Sequence, residues 1–292
     1  MEKKKIFVTG ANGQLGRELK VLSAAYPSFD FVFLSKEDLP IQDAVRTLQF
    51  FETVRPVACI NCAAYTAVDK AETEKELAFA INGAAAGSLA AACNAVGARF
   101  LHVSTDYVFD GHSATPLKEG DPTGPINVYG ASKLQGEQLA LRAHVDTVII
   151  RTSWVYSEFG NNFVKTMIRL MRERPSLNVI DDQIGSPTYA ADLAAVLLAI
   201  ATGSVFVPGI YHYSNEGQIS WYDFALAIKE LTGSACLVHP IPTSQYPTPA
   251  KRPHYSLLDK HLIRETYGIS IPEWRQSLAV CIGKLQAASD KP

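Results

Sequence analysis

The sequence lacks any apolar run of the roughly 18 residues that a membrane-spanning helix needs, so no membrane segment is expected. Its basic start, Met1-Glu2-Lys3-Lys4-Lys5, meets only the short apolar stretch Ile6-Phe7-Val8. That is too short for the core of a secretory signal, and the reading is a cytoplasmic protein. An excess of one charge is missing too. The 27 Lys and Arg stand against 29 Asp and Glu, a net charge of −2 over 292 residues. Such a chain carries no electrostatic footprint for nucleic acid. Its expected partner is a small molecule, bound by a monomer or a homodimer. Internal repeats and low-complexity linkers are also lacking. Cysteine is sparse, and only Cys59-x-x-Cys62 forms a close pair. A metal or redox role would need more. The stretch 57–62 reads as a strand, where an odd separation puts the two thiols on opposite faces. With no second Cys or His pair nearby, they read as core thiols, and no metal site is assigned.

What is present is alternation. The chain is 47% hydrophobic and 19% charged, an ordinary globular composition. Residues 5–10 form a short apolar strand that enters Gly10-Ala11-Asn12-Gly13-Gln14-Leu15-Gly16, and 17–26 then reads as a helix. Strand, glycine turn and helix are the context of a dinucleotide fingerprint. The glycines let the backbone approach a pyrophosphate whose charge sits at the helix N-terminus. Gly10, Asn12, Gly13, Gln14, Leu15 and Gly16 are therefore assigned to a cofactor. A plain tight turn is the simpler alternative.

The second strand, 29–34, ends at Ser35-Lys36, where many dinucleotide folds carry a ribose-binding acid. Without that acid a ribose phosphate is not repelled, and Lys36 can pair with one. NADPH is the expected cofactor, with NADH also accepted. The next helix starts at Pro40-Ile41-Gln42-Asp43 and ends near Arg55-Pro56, and Ile41 joins the cofactor residues. The third strand, 57–62, leads to Ala63-Ala64-Tyr65, whose small residues leave room for a flat cofactor. A long alanine-rich helix is expected within 67–95, with Asn82 facing solvent. Strands at 100–103 and 146–152 follow. Alternating strands and helices imply an α/β fold, a Rossmann-type doubly wound parallel sheet. Ligands of such sheets bind at the carboxyl ends of the strands, where Gly10, Ala63 and Thr105 all fall.

The centre of the argument is Ser104-Thr105-Asp106-Tyr107 and, further on, Tyr129-Gly130-Ala131-Ser132-Lys133. Residues four apart share a helix face. The phenol of Tyr129 has an ordinary pKa of about 10. A nearby Lys133 ammonium would stabilise its phenolate and ease proton donation. Thr105, at a strand end, could hydrogen-bond the same substrate oxygen. Tyr-x-x-x-Lys also arises by chance around packing tyrosines; the glycine turn and Thr105 favour the catalytic reading. In the second half nine prolines from Pro175 to Pro272 break the pattern. Helices are expected at 163–174, 189–201, 221–232 and 272–286. The division is a dinucleotide-binding domain, 1–152, with some later segments returning to it. Residues 153–292 form mainly a smaller α/β substrate lobe.

Thr-Gly-x-x-Gly-x-x-Gly with Tyr-x-x-x-Lys resembles the extended short-chain dehydrogenase/reductases. The resemblance implies that Tyr129 exchanges the proton while Lys133 holds the nicotinamide ribose and tunes the phenol. Five further stretches are similar to reductases of nucleotide-linked 4-keto sugars. They are Asn61-Cys62-Ala63-Ala64-Tyr65-Thr66-Ala67-Val68-Asp69, Ser104-Thr105-Asp106-Tyr107-Val108-Phe109-Asp110-Gly111, Arg151-Thr152-Ser153-Trp154-Val155-Tyr156, Asp182-Gln183-x-Gly185-Ser186-Pro187-Thr188 and Arg252-Pro253-x-Tyr255-Ser256. Together they span nearly the whole chain. They imply a catalytic set of Thr105, Tyr129 and Lys133, and a sugar site with Asp106, Tyr107 and Trp154. They also imply that Arg252 meets the substrate diphosphate, as a guanidinium fork suits phosphate oxygens. The implied reaction is reduction of dTDP-4-dehydro-L-rhamnose to dTDP-L-rhamnose. Cys62 departs from the alanine common in the family. Some members bind magnesium between subunits through acids; Glu18 is one such residue here, but it lacks a partner set. Two alternatives stand beside this. A dehydratase or epimerase of the same fold would carry Asp-Glu after the threonine, where this chain has Asp106-Tyr107. A regulatory subunit like that of methionine adenosyltransferase would not need the complete set.

Overall fold

Six parallel strands form the central sheet, in the spatial order Gly209–His212, Thr147–Thr152, Arg99–Thr105, Ala58–Asn61, Lys4–Thr9, Phe29–Leu34. The computed structural model describes residues 3–289. Met1 and Glu2, which begin the basic stretch, and residues 290–292, which end the second half, lie outside the described residues. The strands are apolar along their length because both faces are covered: Ile6, Phe7, Val8, Ile60, Phe100, Leu101, Val148, Ile149 and Ile150 are fully buried. Each such side chain contributes roughly 1.5–3 kcal/mol by leaving water. On one face the helices Gln14–Leu22 and Ala190–Thr202 complete the core. On the other lie Ala44–Val54 and Ala85–Val96. Cys59 packs in the second of these cores and Cys62 against the first, so the two thiols do face opposite ways.

Two later segments return to this sheet. The strand Gly209–His212 pairs with Thr147–Thr152, and Ala190–Thr202 packs beneath it. A separate core is built by the helices Phe163–Glu173, Trp221–Thr232 and Trp274–Ser289 around the paired strands Ser176–Ile180 and Leu237–Ile241. Those two strands were not visible as sequence pattern, since each is only half buried.

The expected long helix differs most. It is broken into Val68–Ala71, Lys75–Ala78, a π-helical turn Phe79–Ala84, and Ala85–Val96. From Lys75–Val96 it is long and apolar enough to cross a bilayer by length and composition alone. Here its alanine-rich surface is packed against other helices: a Cβ at Gly87 would meet Leu139 Cβ at 2.9 Å. Asn82, expected to face solvent, is buried. The π turn explains this, because its wider winding rotates the residue inward. The first helix starts earlier than expected, at Gln14, since Gly13 already has extended backbone and serves as its N-cap.

Strand register aligns the carboxyl ends. Thr9 lies opposite Asn61, and Thr105 opposite Thr152. Strand order reverses direction between Lys4–Thr9 and Ala58–Asn61, and the crevice at such a reversal is the usual ligand position.

Candidate active site

Gly10 has φ +70°, a left-handed conformation that glycine adopts freely. A Cβ there would lie 2.6 Å from the Ala63 amide nitrogen, so only glycine lets this turn touch the end of the third strand. The helix Gln14–Leu22 that follows has no side-chain cap and no acid in its first turn. The helices beginning after Asp43, Asn127, Asn162 and Ser220 are all capped by those side chains. Uncapped N–H groups at a helix start suit an anion, and Asn12 and Gly13 are exposed. The turn therefore fits a dinucleotide diphosphate. Leu15 is part of the core. Gln14 reaches the other lobe: it accepts from Asn162 Nδ2 at 2.9 Å.

At the end of the second strand Lys36 is 90% exposed, with Glu37 at 3.8 Å. The Ser35 hydroxyl donates to Asp38 Oδ2 at 2.7 Å, and the Ser35 amide donates to the same oxygen. An acid therefore does sit beside this strand end, supplied from three residues on. Ile41 packs at the margin of the core beneath it.

Ala63, Ala64 and Tyr65 line the next strand end and are held from both sides. The Ala63 amide donates to Asn61 Oδ1 at 3.1 Å, which also accepts from Thr9 Oγ1 at 2.6 Å. The Tyr65 amide donates to Asn82 Oδ1 at 2.8 Å, and Asn82 Nδ2 donates to the Tyr65 carbonyl and to Ser132 Oγ. Ser132 Oγ in turn donates to the Tyr129 carbonyl at 2.8 Å. Asn82 thus ties the cofactor-side loop to the helix that carries Tyr129 and Lys133. Sequence reading missed this. A Cβ at Gly136 would collide with the Asn82 carbonyl; that glycine, four residues after Ser132, was the available sign of a close helix contact.

Tyr129 and Lys133 lie on the helix Val128–Ala143, capped by Asn127 Oδ1 accepting from the Gly130 amide at 2.7 Å. The Tyr129 phenol lies close enough to the Thr105 hydroxyl to be influenced by it, and its ring meets Tyr107 edge-on at 5.7 Å. Lys133 is 2% exposed and donates to the Val103 carbonyl at 2.6 Å. An ammonium has three donors. Val103 takes one, leaving two for the hydroxyls of a ribose, which is the fit expected of a nicotinamide ribose. Burial draws Lys133 down to about 8, against the opposing pull of Glu137 and Cys62. Burial pushes the Tyr129 phenol up to about 12; the neighbouring Thr105 hydroxyl opposes this and the Asp106 charge adds to it. Tyr129 is therefore held as the protonated acid at neutral pH.

Asp106 is 2% exposed and accepts from Thr105 Oγ1 at 2.9 Å. Burial raises its carboxyl to about 6. Tyr107 is raised as well, by burial first and then by Asp106. Trp154 has φ +48°, a rare conformation for a bulky residue. It lies flat on Trp221, centroids 3.8 Å apart, and close beside Gly185. Trp221 was placed in a helix by the sequence and given no role. Arg252 faces Asp69: its fork makes bonds of 3.1 and 2.9 Å to the two carboxylate oxygens, and Nη1 also donates to the Ala250 carbonyl. The guanidinium expected to meet a diphosphate is thus oriented by a carboxylate 183 residues earlier in the chain.

Among the described residues no group of three or more His, Cys, Asp or Glu side chains is placed to hold a metal ion. Glu18 accepts from Ser157 Oγ at 2.6 Å. Burial, and then the neighbouring Glu158, raise its carboxyl to about 7.

Residues 4–287 match the family model described as the RmlD substrate binding domain. The dTDP-4-dehydrorhamnose reductase of Burkholderia thailandensis is 42% identical over 300 aligned positions, covering 96% of this chain and 99% of that protein. The crystal structure of a dTDP-4-dehydrorhamnose reductase from Clostridium acetobutylicum superposes with a TM-score of 0.94 at 42% identity, covering 97% of this chain and 99% of that one. The enzyme of that name from Bacillus anthracis, solved in complex with NADP, superposes with a TM-score of 0.93 at 40% identity, covering 97% and 100%. A family model matched over residues 4–287 and relatives 42% identical over nearly the whole chain leave one conclusion: the chain belongs to the dTDP-4-dehydrorhamnose reductase family.

Proposed function

We propose that this chain is an NADPH-dependent oxidoreductase that reduces the 4-keto group of dTDP-4-dehydro-L-rhamnose, giving dTDP-L-rhamnose for cell-surface polysaccharide synthesis. The observation that carries reduction over dehydration is Tyr107. A dehydratase needs a second carboxylate beside Asp106, to remove a proton while water leaves. Here that place holds a phenol packed edge-on against Tyr129, and its pKa is raised. In this reading residues 1–152, with the returning helix and strand, hold the dinucleotide, and 153–292 hold the sugar nucleotide. The enzyme is assigned to the cytoplasm, as a monomer or homodimer.

The bound dinucleotide supplies a hydride to carbon 4 of the sugar. The chain's residues do the rest. The Gly10–Gly16 turn and the uncapped helix start hold the diphosphate, and Lys133 holds the nicotinamide ribose. Tyr129 gives its proton to the carbonyl oxygen as that oxygen gains charge. Such general acid catalysis is typically worth 10²–10⁴-fold. Trp154 covers the sugar, and Arg252, set by Asp69, meets the substrate phosphates.

The test is NADPH oxidation on addition of dTDP-4-dehydro-L-rhamnose made in situ. One NADPH consumed per keto group lost is expected. Protein that retains stoichiometric NAD and converts dTDP-glucose to its 4-keto-6-deoxy product would sink the reading in favour of a dehydratase. Cofactor choice has its own test. Lys36→Ala is expected to raise the Kd for NADPH roughly two- to five-fold, the range of an exposed ion pair, and to leave that for NADH nearly unchanged. Equal shifts would make Lys36 a surface lysine.

A further inference from the structure

The start of the helix Gln14–Leu22 serves two directions. Its backbone N–H groups carry no side-chain cap and are open to the dinucleotide. Its side chains reach the segment that follows Trp154. A glutamine amide has one acceptor oxygen and two N–H donors. Gln14 Oε1 accepts from Asn162 Nδ2 at 2.9 Å, and Gln14 Nε2 lies 3.5 Å from the Val155 carbonyl, at the outer limit of a bond. The amide is thus directed to the second lobe at both ends. Gly160 has φ +62°, and a Cβ there would lie 3.1 Å from Gln14 Cγ. Glycine suits the backbone at that point, and it also lets the loop close onto Gln14.

Gln14 belongs to a larger contact. Arg17 and Glu18 follow it by three and four residues and share its helix face. The Arg17 guanidinium lies over the Phe159 ring, 5.4 Å from its centroid. Glu18 Oε1 accepts from Ser157 Oγ at 2.6 Å. The loop is also tied to itself. The Phe159 amide donates to Ser157 Oγ at 2.9 Å, and Asn162 Nδ2 donates to the Ser157 carbonyl at 2.7 Å. Asn162 Oδ1 accepts from the Lys165 amide at 3.1 Å and so caps the helix Phe163–Glu173. Residues 157–162 therefore form a closed knot seated on the helix that starts at the glycine turn.

Trp154 stands three residues before this knot. Its φ of +48° is a conformation that persists only where the surroundings over-determine it. From the second lobe it is held by the Trp221 stack and by the Thr188 amide, which donates to its carbonyl at 3.2 Å. The strand Val155–Tyr156 pairs with Thr188–Tyr189, and Tyr156 is buried in the second core. From the dinucleotide side, Gln14 reaches Val155, the next residue along. We propose that Gln14 is a positioning residue for the sugar nucleotide rather than a dinucleotide ligand: by holding Asn162 and Val155 it sets Trp154 against the sugar. The inference rests on the reductase reading above, in which Trp154 covers the sugar. The dinucleotide keeps the backbone N–H groups of the same helix start.

The deciding variant is Gln14→Ala. Alanine is a good helix former and leaves the backbone of the turn in place. The Kd for dTDP-L-rhamnose and the KM for the 4-keto sugar are expected to rise roughly three- to tenfold, the worth of one neutral hydrogen bond. kcat should be nearly held, because ground state and transition state lose the same contact. The Kd for NADPH should be nearly unchanged. A rise confined to NADPH would make Gln14 a dinucleotide ligand and overturn the proposal, as would an unchanged Kd for dTDP-L-rhamnose. Equal rises for both ligands, with a lower unfolding midpoint, would mark a structural role and overturn it too.

Asn162→Ser gives an independent arm. Serine still caps a helix, but its short side chain does not reach Gln14. This variant is expected to repeat the effect on the sugar nucleotide. Both substitutions remove the same bond, so the double variant should be no worse than Asn162→Ser alone, and additive losses would overturn the proposal. Calorimetric titration of the full chain with dTDP-L-rhamnose and with NADPH reads these affinities without turnover. Wild-type protein that binds NADPH but neither binds dTDP-L-rhamnose nor reduces the 4-keto sugar would place the failure in the reductase reading instead.

Discussion

Tyr129→Phe is expected to lower kcat by about 10²–10⁴-fold, the usual worth of a positioned general acid, which is roughly 3–5 kcal/mol of transition-state stabilisation. The fold should tolerate it. The ring keeps its edge-on contact with Tyr107, the helix keeps its Asn127 cap, and the Tyr129 carbonyl keeps its bond from Ser132. Only the buried hydroxyl beside Thr105 is lost, a change of about 1 kcal/mol in stability. NADPH affinity should hold, because the glycine turn and Lys133 are untouched. Steady-state kinetics with dTDP-4-dehydro-L-rhamnose, beside a dinucleotide titration, separates the two quantities. Near-normal kcat would falsify the assignment of Tyr129 as proton donor. A large loss of NADPH affinity with kcat preserved would make the phenol a binding group.

The parts of this site that could be read from the sequence are those whose signal is local. Gly10, Gly13 and Gly16 stand between an apolar strand and a helix, and the turn they form is the one observed. The five strands of the first half are short apolar runs, and burial on both faces leaves little else they can be. Tyr129 and Lys133 share a helix, so their spacing alone predicts a shared face.

What was illegible depends on distance or on one side chain's environment. A lone Asn82 in an alanine-rich helix looks like a solvent-facing residue. Only the π turn rotates it inward, where it ties Tyr65 to Ser132. The pairing of Arg252 with Asp69 joins residues 183 apart, and no local pattern announces it. The strands Ser176–Ile180 and Leu237–Ile241 alternate weakly and contain Pro240, so their pairing follows from the second core rather than from their own composition.

Glu137→Gln is expected to destabilise the protein by about 3–5 kcal/mol, the scale for breaking a buried ion pair by removing one partner. Glu137 lies four residues beyond Lys133 on the same helix, with its side chain 2% exposed, and Arg151 beside it is 3% exposed. Arg151 Nη2 is 2.7 Å from Oε2 and Nε is 3.0 Å from Oε1, and Ser104 Oγ donates to Oε1 at 2.5 Å. The amide has the same size but no charge, so the Arg151 guanidinium is left buried and uncompensated. Denaturant unfolding should show a lower midpoint with an unchanged slope, the sign of altered stability rather than an altered unfolded state. The variant also bears on the reaction. Glu137 is the largest influence holding the Lys133 ammonium up against burial. Without it, the ammonium should lose its proton below its present value of about 8, and the alkaline fall in kcat should move to lower pH. The double variant Glu137→Leu with Arg151→Met separates the two effects. An apolar pair of similar volume restores stability at such sites but supplies no negative charge, so the unfolding midpoint should recover while the pH limb stays displaced. If the limb returned together with the midpoint, Glu137 would act on Lys133 only by keeping the helix in place.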